Sequence, residues 1–338
     1  MDRVEQAIAD IRNGKMVVMV DDEDRENEGD LVFAGAFSDT QKVNFAITHA
    51  KGVLCLAISE DIAKRLELNL MVDKNTSCHE TAFTVTIDAK AATTGVSAYE
   101  RDMTIRLATD HTSKPEDFVK PGHIFPLIAK KGGVLSRTGH TEGSVDLCKY
   151  AGVTQSAVIC EIVKEDGNMA RRADLEEFCK KFGFNMVSVS ELVEYRLKHE
   201  SLIHVKEKSK SQIAGFDAIK YEITDHKDQV HFAFVFGETS KRTNVKFHKT
   251  TSDIELLTSA KFEELLKSIK YLSENGGVLV FLQEEKTCDS TIKDFGIGAQ
   301  ILRKLEIEEI ELLSSSKNRE FVALGGFGLD IVEYKELN

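Results

Sequence analysis

Met16-Val17-Val18-Met19-Val20-Asp21-Asp22-Glu23-Asp24-Arg25-Glu26-Asn27-Glu28-Gly29-Asp30 decides how the first part of this chain is read. The apolar residues 16–20 are too few for a helix and read as a short buried strand. Its end delivers seven carboxylates in ten positions into a loop, and Leu31-Val32-Phe33-Ala34 then resumes an extended pattern. Crowded carboxylates repel, and an arbitrary charge run is most often a solvated surface. This run is held between an apolar strand and Gly29, a setting that keeps carboxylates near a site. Metal binding is the favoured reading. Mg²⁺ and Mn²⁺ take carboxylate oxygens and water and leave positions for substrate oxygens. A calcium EF-hand loop does not fit: counted from Asp22, Asn27 stands where that loop needs glycine and Phe33 where it needs glutamate.

Working outward, apolar residues at Val4, Ala7, Ile8 and Ile11 give residues 4–13 a helical period, which Gly14 stops. Helix-like and strand-like stretches follow at 40–50, 53–58, 59–66, 81–87, 99–109, 145–151, 157–163 and 174–182. That mixture predicts an α+β (mixed α/β) domain rather than a bundle or a sandwich. Residues 192–199 read as its closing helix. Residues 205–212 are polar, Lys-rich and Ser-containing, as a linker would be, so the domains are set at 1–202 and 203–338. The second is a smaller α/β domain, with strands expected at 221–224, 231–236 and 277–282 and helices at 253–272 and 296–305.

With 338 residues, 42% hydrophobic and 30% charged, the composition is globular and long enough for two cores. The formal charge of −12 offers no basic field, so nucleic acid and anionic membrane surfaces are not expected as partners. The apolar runs at 16–20 and 277–282 fall far short of the roughly 20 residues that span a bilayer. The start carries no signal-peptide pattern. Six cysteines without C-x-x-C spacing suit reduced thiols. A cytoplasmic location is expected.

A second constellation is Arg137-Thr138-Gly139-His140-Thr141-Glu142-Gly143, preceded by Lys130-Lys131-Gly132-Gly133. Glycines let amides approach an anion, Arg137 and Thr141 add donors, and His140 can ligate a metal. Each part alone is weak; together they weigh evenly against a plain loop. Pro121-Gly122-His123 places another imidazole at a turn, where a surface histidine is the ordinary outcome. Glu161 follows Ala157-Val158-Ile159-Cys160, so it is either a buried functional carboxylate or an outward strand residue.

The acidic run, Thr93-Thr94-Gly95-Val96-Ser97-Ala98, residues 121–127 and residues 137–142 together closely resemble 3,4-dihydroxy-2-butanone 4-phosphate synthase, an enzyme of riboflavin biosynthesis, over about residues 1–200. The resemblance implies a lyase that converts D-ribulose 5-phosphate to L-3,4-dihydroxy-2-butanone 4-phosphate and formate, with two Mg²⁺ or Mn²⁺ ions per active site. It implies Glu26 and His140 as metal ligands. Arg25, Glu26, Asp30, Arg137, Thr138, Gly139, His140, Thr141 and Glu161 are the implied substrate contacts, and His123 and Glu161 the catalytic residues. It also implies a homodimer. Enediolate chemistry needs repeated stabilisation of negative charge on adjacent oxygens, which suits paired metals, and groups that both accept and donate protons.

The C-terminal part resembles GTP cyclohydrolase II in scaffold-like pieces: residues 277–282, 294–302 and 326–329. Its chemistry is missing. That family holds zinc on three cysteines, and there is no cysteine between Cys179 and Cys288. Ala260 and Phe262 stand where its Cys-x-Cys pair would be, its Arg-Glu-Gly-Arg segment is reduced to Gln283-Glu284-Glu285-Lys286, and Lys293 replaces an arginine. No zinc is expected, and the domain reads as a degenerate, inactive copy. The alternative is a bifunctional enzyme that retains the cyclohydrolase activity.

Overall fold

The computed structural model describes residues 2–23, 25–225, 228–283, 290–314 and 329–336, with no side-chain description for 290–296. The chain divides into two compact units, Met1–Val193 and Glu194–Asn338. Cys288, Glu284 to Lys286 and Gly326 to Gly328, singled out above, lie outside the described residues, as does Asp24.

In the first unit the elements run α1 (Arg3–Arg12), β1 (Val17–Val20), β2 (Gly29–Ala34), α2 (Thr40–Phe45), β3 (Cys55–Ile58), α3 (Glu60–Arg65), β4 (Ile87–Ala89), α4 (Ala98–Thr109), β5 (Phe118–Ile128), α5 (His140–Ala151), β6 (Ser156–Glu161), α6 (Arg172–Phe182) and β7 (Asn185–Ser188). The strands form one mixed sheet in the order β4-β5-β3-β6-β2-β1-β7. Alternation splits its side chains between two faces. Val18, Val20, Leu31, Phe33, Leu56, Val158 and Cys160 enter a core shared with Val43, Ile62 and Ile105. The opposite face carries Val17, Met19, Asp30, Ile159 and Glu161, and α1 buries Val4, Ala7, Ile8 and Ile11 as its period requires.

α5 is buried over nearly its whole length and ends at Gly152 in the left-handed region, φ 74°. A Cβ on Gly143 would meet Met19 Sδ at 2.5 Å, so glycine lets this helix press onto β1. That close approach brings the N-terminus of α5 over the acidic loop.

After α7 (Val189–His199), the second unit contains β8 (Ile203–Ile213), β9 (Phe216–Asp225), β10 (Val230–Phe236), β11 (Arg242–Lys249), α8 (Asp253–Thr258), α9 (Lys261–Asn275), β12 (Gly277–Leu282), α10 (Ser290–Lys304), β13 (Glu309–Leu313) and β14 (Asp330–Lys335). Its described strands lie in the order β14-β13-β11-β12-β10-β9-β8. This is a mixed α/β unit, as expected.

Three local expectations are corrected. Residues 205–212 are not a linker: they belong to β8, an edge strand paired antiparallel with β9 from Ile203 to Ile213. Lysines and serines suit such an edge because they discourage further strand pairing, and with one neighbour the strand is too exposed to show an apolar signature. The helix expected at 253–272 is broken at Ser259, which is extended at φ −120° and ψ 166°. The strand-like 81–87 stretch supplies only isolated bridges, Leu70 with Thr84 and Phe83 with Leu127, before β4 begins at Ile87.

Candidate active site

The acidic run is the connection of the β1–β2 hairpin, in which Val20 pairs with Gly29 and Met19 with Asp30. Asp21 organises it. Its carboxylate accepts from Arg25 Nη1 at 2.7 Å and from the amides of Glu26 at 3.1 Å and Glu28 at 2.8 Å. Arg25 also pairs with Glu26 Oε2 at 2.8 Å. Arg171 Nη1 steadies the far side by donating to the Glu26 carbonyl at 2.7 Å. The loop's repulsion is thus offset by two arginines and by its own amides.

β2 pairs with β6 so that Asp30 stands directly opposite Glu161. β3 pairs with β6 through Cys55 and Ile159 and with β5 through Cys55 and Phe125. Ahead of β3 that register shifts by one residue, Lys51 bridging Ile162. Asp30 and Glu161 share one face of the sheet, the face α5 covers. The Val53 amide donates to Glu161 Oε2 at 2.8 Å and the Gly52 amide to the Glu161 carbonyl at 3.0 Å. Glu161 is half-buried and stands opposite Asp30, between the two readings open for it.

His123 lies within strand β5, not at a turn. Its Nδ1 is 2.7 Å from Asp88 Oδ2, and its amide donates to Asp88 Oδ1 at 2.9 Å. Gly95, in the 93–98 stretch, has φ +75°, and a Cβ there would stand 2.1 Å from Asp88 Oδ2. The rest of that stretch serves Glu100, whose carboxylate accepts from the Thr93 hydroxyl and amide, the Gly95 amide and the Thr94 and Ser97 hydroxyls. These bonds, Thr93 first, hold its carboxyl down at about 2.

His140 is the first residue of α5, and no side chain caps that terminus. Its Nδ1 lies 3.7 Å from Glu26 Oε2 and 3.9 Å from Asp30 Oδ1. Burial opposes a charge on the imidazole, but Asp30, Glu26 and Asp21 outweigh it and lift His140 to about 9. The His140 imidazole in turn holds the Glu26 carboxyl down at about 2, with Arg25 adding to the effect. Burial, reinforced by Glu161, Glu26 and Asp21, pushes the Asp30 carboxyl up. His140 Nε2 and Asp30 Oδ1 are buried without a hydrogen-bond partner. Among the described residues, Asp21, Glu26 and His140 form a group with ligand atoms within 4.8 Å of one another. Asp21 already accepts from three donors within its own loop, and Glu26 and His140 complete the group. A negative field with two orphaned polar atoms and an imidazole fits a hard divalent cation.

The flanking motif is partly structural. Gly133, at φ +63°, has no room for a Cβ because Asp146 would lie 2.3 Å from it, and the Val134 amide donates to Asp146 Oδ2 at 2.9 Å. The anion that this glycine pair approaches is the chain's own carboxylate. Arg137 is engaged by His79, Thr81 and Glu142. Gly139 is the N-cap of α5, and Thr138 and Thr141 are buried beside it; unpaired first-turn amides favour an anion.

Sequence reading missed Asp21 as the loop's organiser, Asp88 behind His123, and His79, whose Nε2 is 3.9 Å from Glu26 Oε1. Burial, with Glu161 and Asp30, pushes the Cys55 thiol well up. Only the sheet register could have found Asp88.

The sequence pattern described as 3,4-dihydroxy-2-butanone 4-phosphate synthase matches residues 5–195, and that described as GTP cyclohydrolase II matches residues 283–336. A 3,4-dihydroxy-2-butanone 4-phosphate synthase of Campylobacter jejuni is 62% identical over 97% of this chain and 97% of its own. Among solved structures, RibBX, a two-domain 3,4-dihydroxy-2-butanone 4-phosphate synthase from A. baumannii, is 41% identical with a TM-score of 0.85 and 98% of each chain covered. A 3,4-dihydroxy-2-butanone 4-phosphate synthase in complex with two magnesium ions is 34% identical with a TM-score of 0.57, covering 59% of this chain and 98% of its own. With the acidic hairpin, the α5 terminus and these relatives in agreement, the chain belongs to the 3,4-dihydroxy-2-butanone 4-phosphate synthase family, lyases of riboflavin biosynthesis.

Proposed function

We propose that this lyase converts D-ribulose 5-phosphate to L-3,4-dihydroxy-2-butanone 4-phosphate and formate at the hairpin–α5 site, as a cytoplasmic homodimer in which the second unit is catalytically inactive. The observation that carries the reading is the convergence of Glu26, Asp30, Glu161 and His140, with Asp30 opposite Glu161 and His140 3.7 Å from Glu26. Glu26 and His140 would hold the cations, two Mg²⁺ or Mn²⁺ per site, and a relative crystallised with two magnesium ions supports the use of a divalent metal. Bound there, they supply Lewis-acid stabilisation of charge on adjacent substrate oxygens.

The remaining residues bind and move protons. Thr138, Gly139 and Thr141 offer hydroxyls and helix-terminal amides to the phosphate, joined by Arg25 and by whatever donor Arg137 keeps free. Asp30, with its raised carboxyl, can hold a proton near neutral pH. Glu161 faces the same space as an acceptor, oriented by the Val53 amide. His123, tied to Asp88 through Nδ1, presents Nε2 for proton exchange at a substrate carbon or hydroxyl.

The test is to incubate the full-length protein separately with ribulose 5-phosphate and with GTP, with metals added, and to identify the organic products, since both substrates can release formate. The four-carbon phosphate should form from the first, EDTA should abolish its formation, and Mg²⁺ or Mn²⁺ should restore it. Full activity in metal-free buffer would remove the metal from the mechanism, and a pyrimidine product from GTP would establish the bifunctional alternative.

A further inference from the structure

Residues 75–81 form an irregular loop whose anchor is Arg137. From Nε and Nη2 the guanidinium donates to the carbonyl oxygen of His79 at 3.1 and 3.0 Å, and from Nη2 to the Thr81 hydroxyl at 2.9 Å. Its Nη1 donates to Glu142 at 2.6 Å, and Glu142 is buried in the first turn of α5, where it also accepts from the Lys130 amide at 3.0 Å. A planar fork of this kind fixes both of the segments it joins. The loop also braces itself: Asn75 donates to the Thr81 carbonyl at 2.9 Å and accepts from the Ser77 amide at 2.9 Å and hydroxyl at 2.8 Å.

The consequence is the position of one imidazole. His79 Nε2 stands 3.9 Å from Glu26 Oε1, while the other oxygen of Glu26 faces Arg25 and His140. A hydrogen bond spans about 2.7–3.2 Å, so this gap is too long for a direct bond and is the span that one oxygen atom bridges. The imidazole is 36% exposed, open to an incoming molecule.

We propose that His79 is a substrate-positioning residue: its imidazole donates to a substrate hydroxyl that in turn donates to Glu26 Oε1, and Arg137 is the latch that sets the loop at that distance. The inference rests on the functional reading given above. A hydroxyl both donates and accepts, so the pair selects a carbon that bears OH over one that bears hydrogen. Such a site rejects the deoxy analogue strongly because its own polar groups are then left unpaired.

The experiment uses the full chain with Mg²⁺ and compares His79→Ala, His79→Gln and Arg137→Lys with the unaltered protein. Steady-state rates are measured with ribulose 5-phosphate, Mn²⁺ affinity by electron paramagnetic resonance without substrate, and amide exchange of residues 75–81 by mass spectrometry. His79→Ala should raise KM by about 10-fold, the size of one lost hydrogen bond, with a smaller change in kcat and unchanged Mn²⁺ affinity. His79→Gln, which keeps a donor, should recover part of that loss. Arg137→Lys should speed exchange in the loop and raise KM similarly. An unchanged KM in His79→Ala, equal losses in the alanine and glutamine variants, or a parallel loss of Mn²⁺ affinity would each overturn the proposal. No turnover by the unaltered protein would remove the functional reading along with it, whereas normal turnover beside an unaffected His79→Ala removes this inference alone.

Discussion

Asp88 holds His123 by two bonds at once: Oδ2 lies 2.7 Å from the ring Nδ1, and Oδ1 accepts from the backbone amide at 2.9 Å. A carboxylate in that place fixes the tautomer with hydrogen on Nδ1 and leaves Nε2 as the working nitrogen. Gly95 closes behind it with no room for a Cβ. Asp88→Asn keeps the shape but can set its amide against Nδ1. We expect kcat for ribulose 5-phosphate to fall by about 10²-fold, the low end of a general acid–base contribution, with KM nearly unchanged. Steady-state kinetics decide it, and a normal kcat would show that the pair is structural.

Gly52 is the neighbour that Glu161 cannot spare. A Cβ at position 52 would stand 2.5 Å from both the carbonyl oxygen and Oε2 of Glu161. Gly52→Ala must therefore displace that backbone or side chain and disturb the bond from the Val53 amide. Activity should fall by at least about 10-fold through misplacement of the carboxylate, while circular dichroism stays native. Activity equal to that of the unaltered protein would mean that the position of Glu161 is not critical.

Glu26→Gln and His140→Ala each remove a proposed ligand without emptying the apolar core. Both should lose about 10²-fold or more in kcat, keep a cooperative thermal transition and bind Mn²⁺ more weakly in calorimetry. Near-normal turnover in either variant would take that residue out of the metal site.

Much of this site was legible because its chemistry is concentrated in sequence. The hairpin loop places Glu26 and Asp30 within five positions, and the 137–143 stretch sets its histidine among glycines and anion donors. Groups brought together only by sheet register were hidden. Asp88 sits in an ordinary strand, and nothing local links it to His123, 35 residues away. His79 lies in a loop without periodicity, set by a guanidinium 58 residues on. β8 was read as a linker for the same reason: an edge strand satisfied by β9 alone needs no apolar alternation. The break at Ser259 is local competition between helix and extended backbone that the apolar spacing of 253–272 concealed.

Glu100 makes a signed prediction about acid. Its carboxyl lies at about 2, below the ordinary 4.5, so it contributes stability that is fully present above the unfolded value and lost as pH falls through the folded one. Glu100→Gln should therefore lower the melting temperature at pH 7, and the difference from the unaltered protein should shrink between about pH 4.5 and pH 2. A pH-independent difference across that window would show that the charge on Glu100 does not matter.

A chain ending at Glu200 should keep the synthase activity, and the separate C-terminal piece should neither bind zinc nor open the ring of GTP. The magnesium-bound relative supports the first half, since nearly its whole length corresponds to 59% of this chain. Ending at Glu200 retains all of α7, with Leu192, Val193 and Leu197 buried on it and Arg196 paired to Glu200 at 2.7 Å. A catalytic zinc takes three protein ligands and an open position. After residue 200 the sequence offers Cys288 with His204, His226, His231 and His248. Of these, His231 accepts the Gln283 amide on Nδ1 at 3.1 Å and faces Asp225 at 3.4 Å, and His248 packs its ring against Phe281. These contacts tie the two residues to β10, β11 and β12. Ala260 is the N-cap of α9 and Phe262 its second residue, the positions that the resemblance matches to the cyclohydrolase's thiolates. Restoring cysteines at 260 and 262 alone should not revive GTP chemistry, because the arginines that would hold the triphosphate are missing as well. One zinc per C-terminal piece by elemental analysis, together with a GTP-derived pyrimidine, would overturn this division of labour. An insoluble or inactive 1–200 chain would instead assign the second unit a part in folding or assembly.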